Sequence, residues 1–184
     1  MEKALPVRKT TRLYEYDYSL NGAYSITICT ENRKNILSAI RRGDPCGRPH
    51  TPCGRPDFDT DIKITLTELG EICKNKIEYI STKYDISITK YIIMPNHIHM
   101  LILVTRDTRA TARAAPTIGD IIGGYKSIVA NEWLKICKKN NVIMGQFWQR
   151  GYHDRIIRNE KEYQNQWQYI DENPMKWVDD KYYI

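Results

Sequence analysis

Apolar and polar residues alternate along several short stretches of the chain, and each such stretch predicts a β-strand. Three of these stretches cover residues 23–30, 62–66 and 151–158. A longer pattern lies between the second and the third, where two apolar runs, residues 86–94 and 97–104, flank Pro95 and Asn96. Because proline and asparagine favour turns, we predict a β-hairpin across residues 86–104.

Three other segments carry apolar residues at helical spacing. These segments are residues 67–80, residues 117 to about 138, and the stretch from Asn159 to the residue before Pro174. Thr67 and Asn159 are predicted N-caps, and Glu162 follows Asn159 in capping-box position. Gly123 and Gly124 inside the second helix cost stability, which indicates the close approach of another backbone or of a ligand.

The last predicted helix has two distinct stripes at about 100° per residue. The apolar stripe consists of Tyr163, Trp167 and Ile170, and the second stripe consists of Glu162, Gln166, Tyr169 and Asn173. We expect the apolar stripe to dock on the sheet. Tyr169 is then about 100° away from the docked face, with Asn173 one turn further on, and can reach a cleft. An ordinary packing tyrosine is the simpler interpretation.

Two histidines, His97 and His99, open the second strand of the hairpin. Alternate residues of a strand share a face, so both imidazoles point the same way, about 7 Å apart along the strand. Two such side chains can converge on one metal ion, and a third ligand with an open position would make that ion catalytic. Polar positions on a solvated sheet face give the same pattern.

Residues 43–60 interrupt these patterns with two copies of Pro-Cys-Gly-Arg-Pro, beginning at Pro45 and Pro52. Proline and glycine at this density exclude a helix or a central strand. Cys46, His50 and Cys53 would supply three ligands of a zinc clip, but no fourth ligand lies nearby. A flexible insertion is therefore the simpler interpretation of the segment.

Composition places the chain among ordinary globular proteins. It has 184 residues, 41% hydrophobic and 27% charged, which suffice for one domain with a full core. The formal net charge of +6 suits a polyanionic partner such as nucleic acid.

No apolar run approaches the roughly 20 residues of a membrane span, and the N-terminus lacks an apolar signal core, so we expect a cytoplasmic protein without membrane contact. Three of the five cysteines lie in apolar segments and are expected to be reduced core residues: Cys29, Cys73 and Cys137.

Three motifs together resemble one protein family. The segment Met94–His99 resembles the His-hydrophobic-His motif of the single-tyrosine HUH transposases, and more closely that of the REP-associated tyrosine transposases. Tyr169–Trp177 resembles the tyrosine and Asn-Pro helix of the same family, and Trp148–Asn159 resembles the strand and turn before it. The similarity runs from about Tyr24 to Trp177. The insertion departs from it, because the family has a short connection there.

The resemblance implies an α+β fold, a ferredoxin-like sandwich. In that fold the antiparallel sheet has the His-x-His hairpin at its centre, helices pack on one of its faces, and the C-terminal helix is catalytic. The expected organisation is a single HUH transposase-like domain over residues 1–184, with the insertion at about 43–60. The expected location is the bacterial cytoplasm.

The resemblance also implies the site. Tyr169 would be the nucleophile, and the metal ligands would be His97, His99 and Asn173. Related insertion-sequence transposases have Gln at the third position, and Asn173 could equally cap the helix end. His153 and Asp154 lie near the site as further candidates. The expected cofactor is Mg²⁺ or Mn²⁺. The phosphate contacts would come from a basic loop over residues 105–114, through Arg106, Arg109 and Arg113, and from Lys126.

The implied activity is metal-dependent cleavage and rejoining of single-stranded DNA, on palindromic repeat hairpins, through a covalent 5′-phosphotyrosine. Two other interpretations stay open. One is a nucleic-acid-binding protein of the same fold without catalysis. The other is a hydrolase that holds zinc through His97, His99 and His153 and forms no covalent intermediate. The sequence also leaves open whether the chain forms a homodimer, and whether Tyr169 serves its own histidines or those of a partner subunit.

Overall fold

The computed structural model describes residues 16–42, 62–106, 115–179 and 182–183. The elements in chain order are β1 (Gly22–Cys29), β2 (Ser38–Arg42), β3 (Ile62–Leu66), α1 (Glu68–Tyr84), β4 (Ser87–Ile93), β5 (His97–Val104), α2 (Ile118–Lys139), β6 (His153–Ile157) and α3 (Glu160–Glu172). Short 3-10 turns lie at Glu31–Arg33 and Trp177–Asp179. The zinc-clip residues of the insertion lie outside the described residues.

Four strands form one antiparallel sheet in the order β4-β5-β1-β6. The predicted hairpin is therefore confirmed, with its histidine strand β5 in the interior of the sheet and β4 at the edge. The predicted α+β class, with helices packed on an antiparallel sheet, is confirmed as well.

The helices cover both faces of the sheet, which corrects the expectation that they lie on one. One face of β1 and β5, through residues such as Ile26, Ile98 and Met100, forms the main core together with α1 and α2. On the other face, Leu101 of β5 packs with Ile170 of α3. Strand β5 is accordingly buried along almost its whole length. The Tyr163–Trp167–Ile170 stripe of α3 docks on the sheet as predicted.

Strand β2 has no counterpart among the predicted elements. It pairs antiparallel with β3 in a separate two-stranded ribbon, with Ile40 opposite Ile64 and Arg41 opposite Lys63. Its sequence, Ser-Ala-Ile-Arg-Arg, has one strongly apolar residue and therefore no clear alternation. The ribbon joins segments on the two sides of the insertion, so its pairing is a long-range feature.

Local contacts explain where the helices begin. Thr67 caps α1 by accepting a hydrogen bond from the Gly70 amide, as predicted. Asn159 Oδ1 accepts a hydrogen bond from the Glu162 amide. The Glu162 carboxylate in turn accepts a hydrogen bond from the amide of Arg158 rather than from that of Asn159, so the capping box is shifted by one residue.

Gly124 in α2 is required by the close approach of a side chain. An added Cβ there would lie 2.3 Å from the Tyr84 hydroxyl, so the neighbour is a phenol rather than the predicted backbone or ligand. The predicted core cysteines, Cys29, Cys73 and Cys137, are buried as expected. Burial raises the pKa of the Cys73 thiol to about 12, which keeps it protonated.

Candidate active site

The two histidines lie side by side on the face of the sheet that α3 covers. His97 is paired with Cys29 and His99 with Thr27 on the neighbouring strand β1. Their side chains are 0% and 3% exposed, and their ring centroids are 4.6 Å apart with the rings nearly perpendicular. The predicted common face is therefore observed. Both histidines are buried, so the alternative of polar positions on a solvated face does not describe them.

Both imidazoles are held through their Nδ1 atoms. Nδ1 of His97 lies 2.8 Å from Asn96 Oδ1, and Nδ1 of His99 lies 2.8 Å from Thr27 Oγ1. A hydrogen bond at one ring nitrogen fixes the orientation of the ring and leaves the other nitrogen for a ligand contact. This is the usual arrangement of metal-binding histidines.

Tyr169 lies beside this pair on α3. Its ring centroid is 5.2 Å from that of His99, the two rings meet edge to face at 72°, and the side chain is 38% exposed. The neighbouring Ile170 is buried against the sheet, so Tyr169 is at the edge of the docked face as the helical spacing predicted. A phenol at this position is reachable from solvent and lies next to the histidines.

Asn173 follows one turn later, at the C-cap of α3. The side chain is 2% exposed, and within the described part of the chain neither Nδ2 nor Oδ1 has a hydrogen-bond partner. Burying an amide without partners costs about 1–3 kcal/mol judged from protein mutants. The side-chain oxygen is therefore suited to bind a ligand, and it does not cap the helix through a hydrogen bond.

A cleft of about 750 Å³ connects His99, Tyr169 and Asn173, whereas His97 is not among its lining residues. Its lining comes from β1, the 3-10 turn after β1, β5, β6, α3 and the segment after α3: Ser25, Thr27, Arg33, His99, His153, Asp154, Arg155, Gln166, Tyr169, Glu172, Asn173, Lys176 and Tyr182. Three residues of the second stripe of α3, Gln166, Tyr169 and Asn173, thus face the cleft, and Glu162 does not. Hydrogen bonds from Lys176 and, next, from Gln168 lower the pKa of the Glu172 carboxyl, so Glu172 is ionised at neutral pH.

The donor atoms fit a divalent cation. Two imidazole nitrogens and one amide oxygen form a mixed set that suits Mn²⁺ or Mg²⁺, with the imidazoles favouring Mn²⁺. The unpartnered amide of Asn173 supports this fit, since a bound cation would satisfy its oxygen. His97, His99 and Asn173 are the residues that would hold the ion.

His153 and Asp154 contribute differently. His153 is exposed and pairs with Thr27 across the sheet, which places it at the rim of the cleft on the histidine face. Asp154 is the next residue along β6 and pairs with Ile26. Within the described ranges, no three side chains of His, Cys, Asp or Glu come together in a way that could hold a metal ion. The three-histidine zinc site of the hydrolase interpretation is therefore not assembled.

Lys126 and Arg106, two of the four residues expected to contact DNA, are not among the residues that line this cleft. Lys126 Nζ donates to the carbonyl oxygens of Gln149 and Gly151, at 2.6 and 2.9 Å, and so ties α2 to the loop before β6. Burial lowers its pKa. Arg106 donates from Nη1 to the Pro116 carbonyl. Arg109 and Arg113 lie outside the described residues. All four stay predictions as DNA contacts.

Sequence reasoning missed several residues that shape the site. Tyr182, near the chain end, has its ring centroid 4.6 Å from that of His97, and Trp177 lies 5.9 Å from the same ring. The guanidinium carbon of Arg33 lies 5.0 Å from the centre of the Tyr182 ring. Asn96 had a local signal, since it directly precedes His97. The other contacts join residues that are distant in sequence, and no sequence motif indicates them.

Comparisons with known proteins identify a family and a similar fold. The model of the IS200-like transposase family matches residues 62–173, which is more than half of the chain. An uncharacterized protein of Haemophilus influenzae is 28% identical over 192 aligned residues, covering 96% of this chain and 93% of the relative. A REP-associated tyrosine transposase bound to a REP hairpin has a similar fold, with a TM-score of 0.53 and 16% identity over 90% of this chain and 74% of that one.

The chain belongs to the IS200-like transposase family. The resemblance based on the histidine and tyrosine motifs is therefore confirmed at the level of the family and, through the solved structure, at the level of the fold. Family membership makes the chain a transposase-type, DNA-processing protein. Among the helices that the structure describes, none is long and apolar enough to cross a bilayer.

Proposed function

We propose that this protein cleaves and rejoins single-stranded DNA through a covalent bond between Tyr169 and a 5′-phosphate. The observation that carries the proposal is the placement of Tyr169. Its partly exposed phenol meets the His99 ring at 5.2 Å, in a cleft that also contains the unpartnered amide of Asn173. A packing tyrosine would not need these neighbours.

The reaction is a transfer of one phosphodiester bond. The Tyr169 oxygen attacks phosphorus and forms a new P–O bond, the bond between phosphorus and the 3′ oxygen breaks, and the phenolic proton ends on the released 3′ hydroxyl. A 3′ hydroxyl of the same or another strand reverses the step. Because the number of phosphodiester bonds is conserved, the rejoining needs no ATP. A bound Mg²⁺ or Mn²⁺ supplies positive charge beside the phosphate.

The residues of this chain orient the reactants. His97, His99 and Asn173 would hold the cation, and α3 presents Tyr169 to the same cleft. Three basic residues, Arg33, Arg155 and Lys176, line the cleft against two acidic ones, Asp154 and Glu172, so the lining has a small positive balance, which favours a polyanion. A phenol is a weak nucleophile at neutral pH, so alignment and charge stabilisation must supply most of the rate enhancement.

The proposed substrate is a hairpin formed by a palindromic repeat. Two facts support this class: the similar solved structure is described as bound to a REP hairpin, and the chain carries a formal net charge of +6. The placement of Tyr169 beside His99 of the same chain supports a site formed within one subunit. The loop with Arg106, Arg109 and Arg113 is proposed to contact phosphates of the DNA.

The test is a denaturing gel of the protein with end-labelled hairpin DNA, with Mn²⁺ and with chelator. A label that migrates with the protein in denaturant, and only with metal, is the expected result. Cleavage without this adduct would replace the proposal by metal-dependent hydrolysis. Binding without cleavage, measured on the same DNA, would leave a nucleic-acid-binding protein.

A further inference from the structure

Asn96 contacts three separate parts of the molecule through one fully buried amide. Its Nδ2 donates to the Tyr182 carbonyl at 2.7 Å and to the Arg33 carbonyl at 3.1 Å, and its Oδ1 lies 2.8 Å from Nδ1 of His97. The residue is 0% exposed. We propose that Asn96 is a positioning residue, which fixes His97 as its Nδ1–H tautomer and so holds the Nε2 lone pair ready for a divalent cation.

The argument begins with the orientation of the amide. Carbonyl oxygens only accept hydrogen bonds, so the side facing the Tyr182 and Arg33 carbonyls must be the NH₂ group. The side facing His97 is then the amide oxygen, which also only accepts. Nδ1 of His97 must therefore carry the proton, and in the neutral ring Nε2 carries the lone pair.

His99 lacks such a constraint. Its Nδ1 faces the hydroxyl of Thr27, which can donate or accept, so this contact is compatible with either tautomer. The two histidines thus differ in how strictly their neighbours determine the position of the proton. Asn96 supplies the stricter contact, and it does so from the residue directly before the histidine.

The bonds to Tyr182 and Arg33 explain why the amide cannot turn over. Rotating it by half a turn would bring its oxygen against two carbonyl oxygens in a buried site and leave both without a donor. Arg33 and its neighbour Asn32 both have a φ of 52°, in the left-handed region, so this turn needs bonds that hold it in place. The Asn96 backbone carbonyl adds to this by accepting from the amide and the hydroxyl of Thr30.

The inference rests on the proposed metal-dependent function but is tested without DNA. Nitrogen-15 NMR of the histidine rings at pH 8 distinguishes the two neutral tautomers from each other and from the charged ring. The chain has four histidines, so the spectrum is simple, and a His97→Gln variant assigns the signals. We expect wild-type His97 to be the Nδ1–H tautomer.

Two variants of Asn96 separate the tautomer from the fold. Asn96→Leu removes the acceptor, so His97 should shift towards the Nε2–H tautomer, and Mn²⁺ affinity measured by calorimetry should fall about 10–100-fold. Asn96→Asp keeps an acceptor for Nδ1 and should keep the tautomer, while the loss of the NH₂ donor to the Tyr182 and Arg33 carbonyls should lower the stability. Ser38→Ala is the matched control, because Ser38 also makes a buried hydrogen bond to the hairpin, at the Ile93 carbonyl, without contacting His97. It should change neither readout.

Three results would overturn the inference. They are an Nε2–H tautomer in the wild type, an unchanged tautomer in Asn96→Leu, and an equal loss of Mn²⁺ affinity in Ser38→Ala. If Asn96→Leu does not fold, the wild-type spectrum still tests the inference, because an Nε2–H ring at His97 would overturn it. Should the wild type show the Nδ1–H tautomer but form no DNA adduct, the proposed function fails and the role of Asn96 stands.

Discussion

The two sides of the cleft are built in opposite ways. On the sheet side, His97 and His99 are buried on an interior strand, and each has its Nδ1 atom within hydrogen-bond distance of a neighbour. On the helix side, Tyr169 is 38% exposed and Asn173 has no hydrogen-bond partner in the described structure. The sheet side is fixed by hydrogen bonds, whereas the helix side carries a buried amide whose hydrogen-bonding groups have no partner among the described residues.

Packing supports the same contrast. The other face of β5 belongs to the main core with α1 and α2, whereas α3 is held by a small cluster with Leu101, Ile157 and Ile170 at its centre. Elements with few buried contacts are the ones that open at low free-energy cost. On such a helix Tyr169 and Asn173, the proposed nucleophile and the proposed third ligand, can adjust to the substrate while His97 and His99 stay in place on the sheet.

Replacing Tyr169 by Phe should have the largest effect, because it removes the attacking oxygen and leaves the ring. Covalent attachment to hairpin DNA should fall to background on a denaturing gel, while binding to the same DNA stays within about 0.5 kcal/mol of wild type, as for surface substitutions. Tyr163→Phe is the matched control. Its hydroxyl donates to Thr89 on the same helix–sheet interface and lies outside the cleft lining. Adduct surviving in Tyr169→Phe would remove Tyr169 from its role.

Replacing His99 by Ala removes one of the two histidines on the sheet side. The substitution removes a proposed ligand. Mn²⁺ affinity should therefore fall by more than the roughly 10–100-fold that is usual when a residue hydrogen-bonded to a ligand is replaced. Isothermal calorimetry of the DNA-free protein measures this loss. His153→Ala is the control, since His153 is exposed at the rim. Equal losses in both variants would favour a metal site that uses His153 and would reject the proposed ligand set.

These contrasts show what the sequence could predict. Alternation placed His97 and His99 on one face, and helical spacing placed Tyr169 beside the docked stripe, because both properties are local. The face on which α3 lies was predicted wrongly, although the nearly continuous apolar run of residues 98–104 indicates a strand buried on both sides. The ribbon strand β2 and the contact of Tyr182 with His97 could not be predicted, since they join segments that are distant in sequence.

Replacing Lys126 by Gln tests whether this predicted DNA contact instead stabilises the fold. Its ammonium group donates to the Gln149 and Gly151 carbonyls, and bonds from a charged donor contribute about 1.5–3 kcal/mol each. The amide of Gln is shorter, so we expect urea denaturation to show a loss of about 1–2 kcal/mol. The salt dependence of DNA binding gives the other readout. If the slope of log K against log salt concentration falls by about one unit while the stability is unchanged, Lys126 is a phosphate contact instead.

Replacing Asn173 by Leu should have the smallest effect on stability, and in the opposite direction. The buried amide costs desolvation free energy with no partner in the described structure, so an apolar side chain of similar size should stabilise the metal-free protein by about 1 kcal/mol. That corresponds to a rise in Tm of about 2–4 °C for a chain of this length, measured with chelator present. Mn²⁺ affinity should fall in the same variant. Thr27→Val, which removes a partnered hydroxyl on the sheet side, should lower Tm instead. A lower Tm in Asn173→Leu would mean that the helix side is already complete without a ligand, and the contrast between the two sides would be lost.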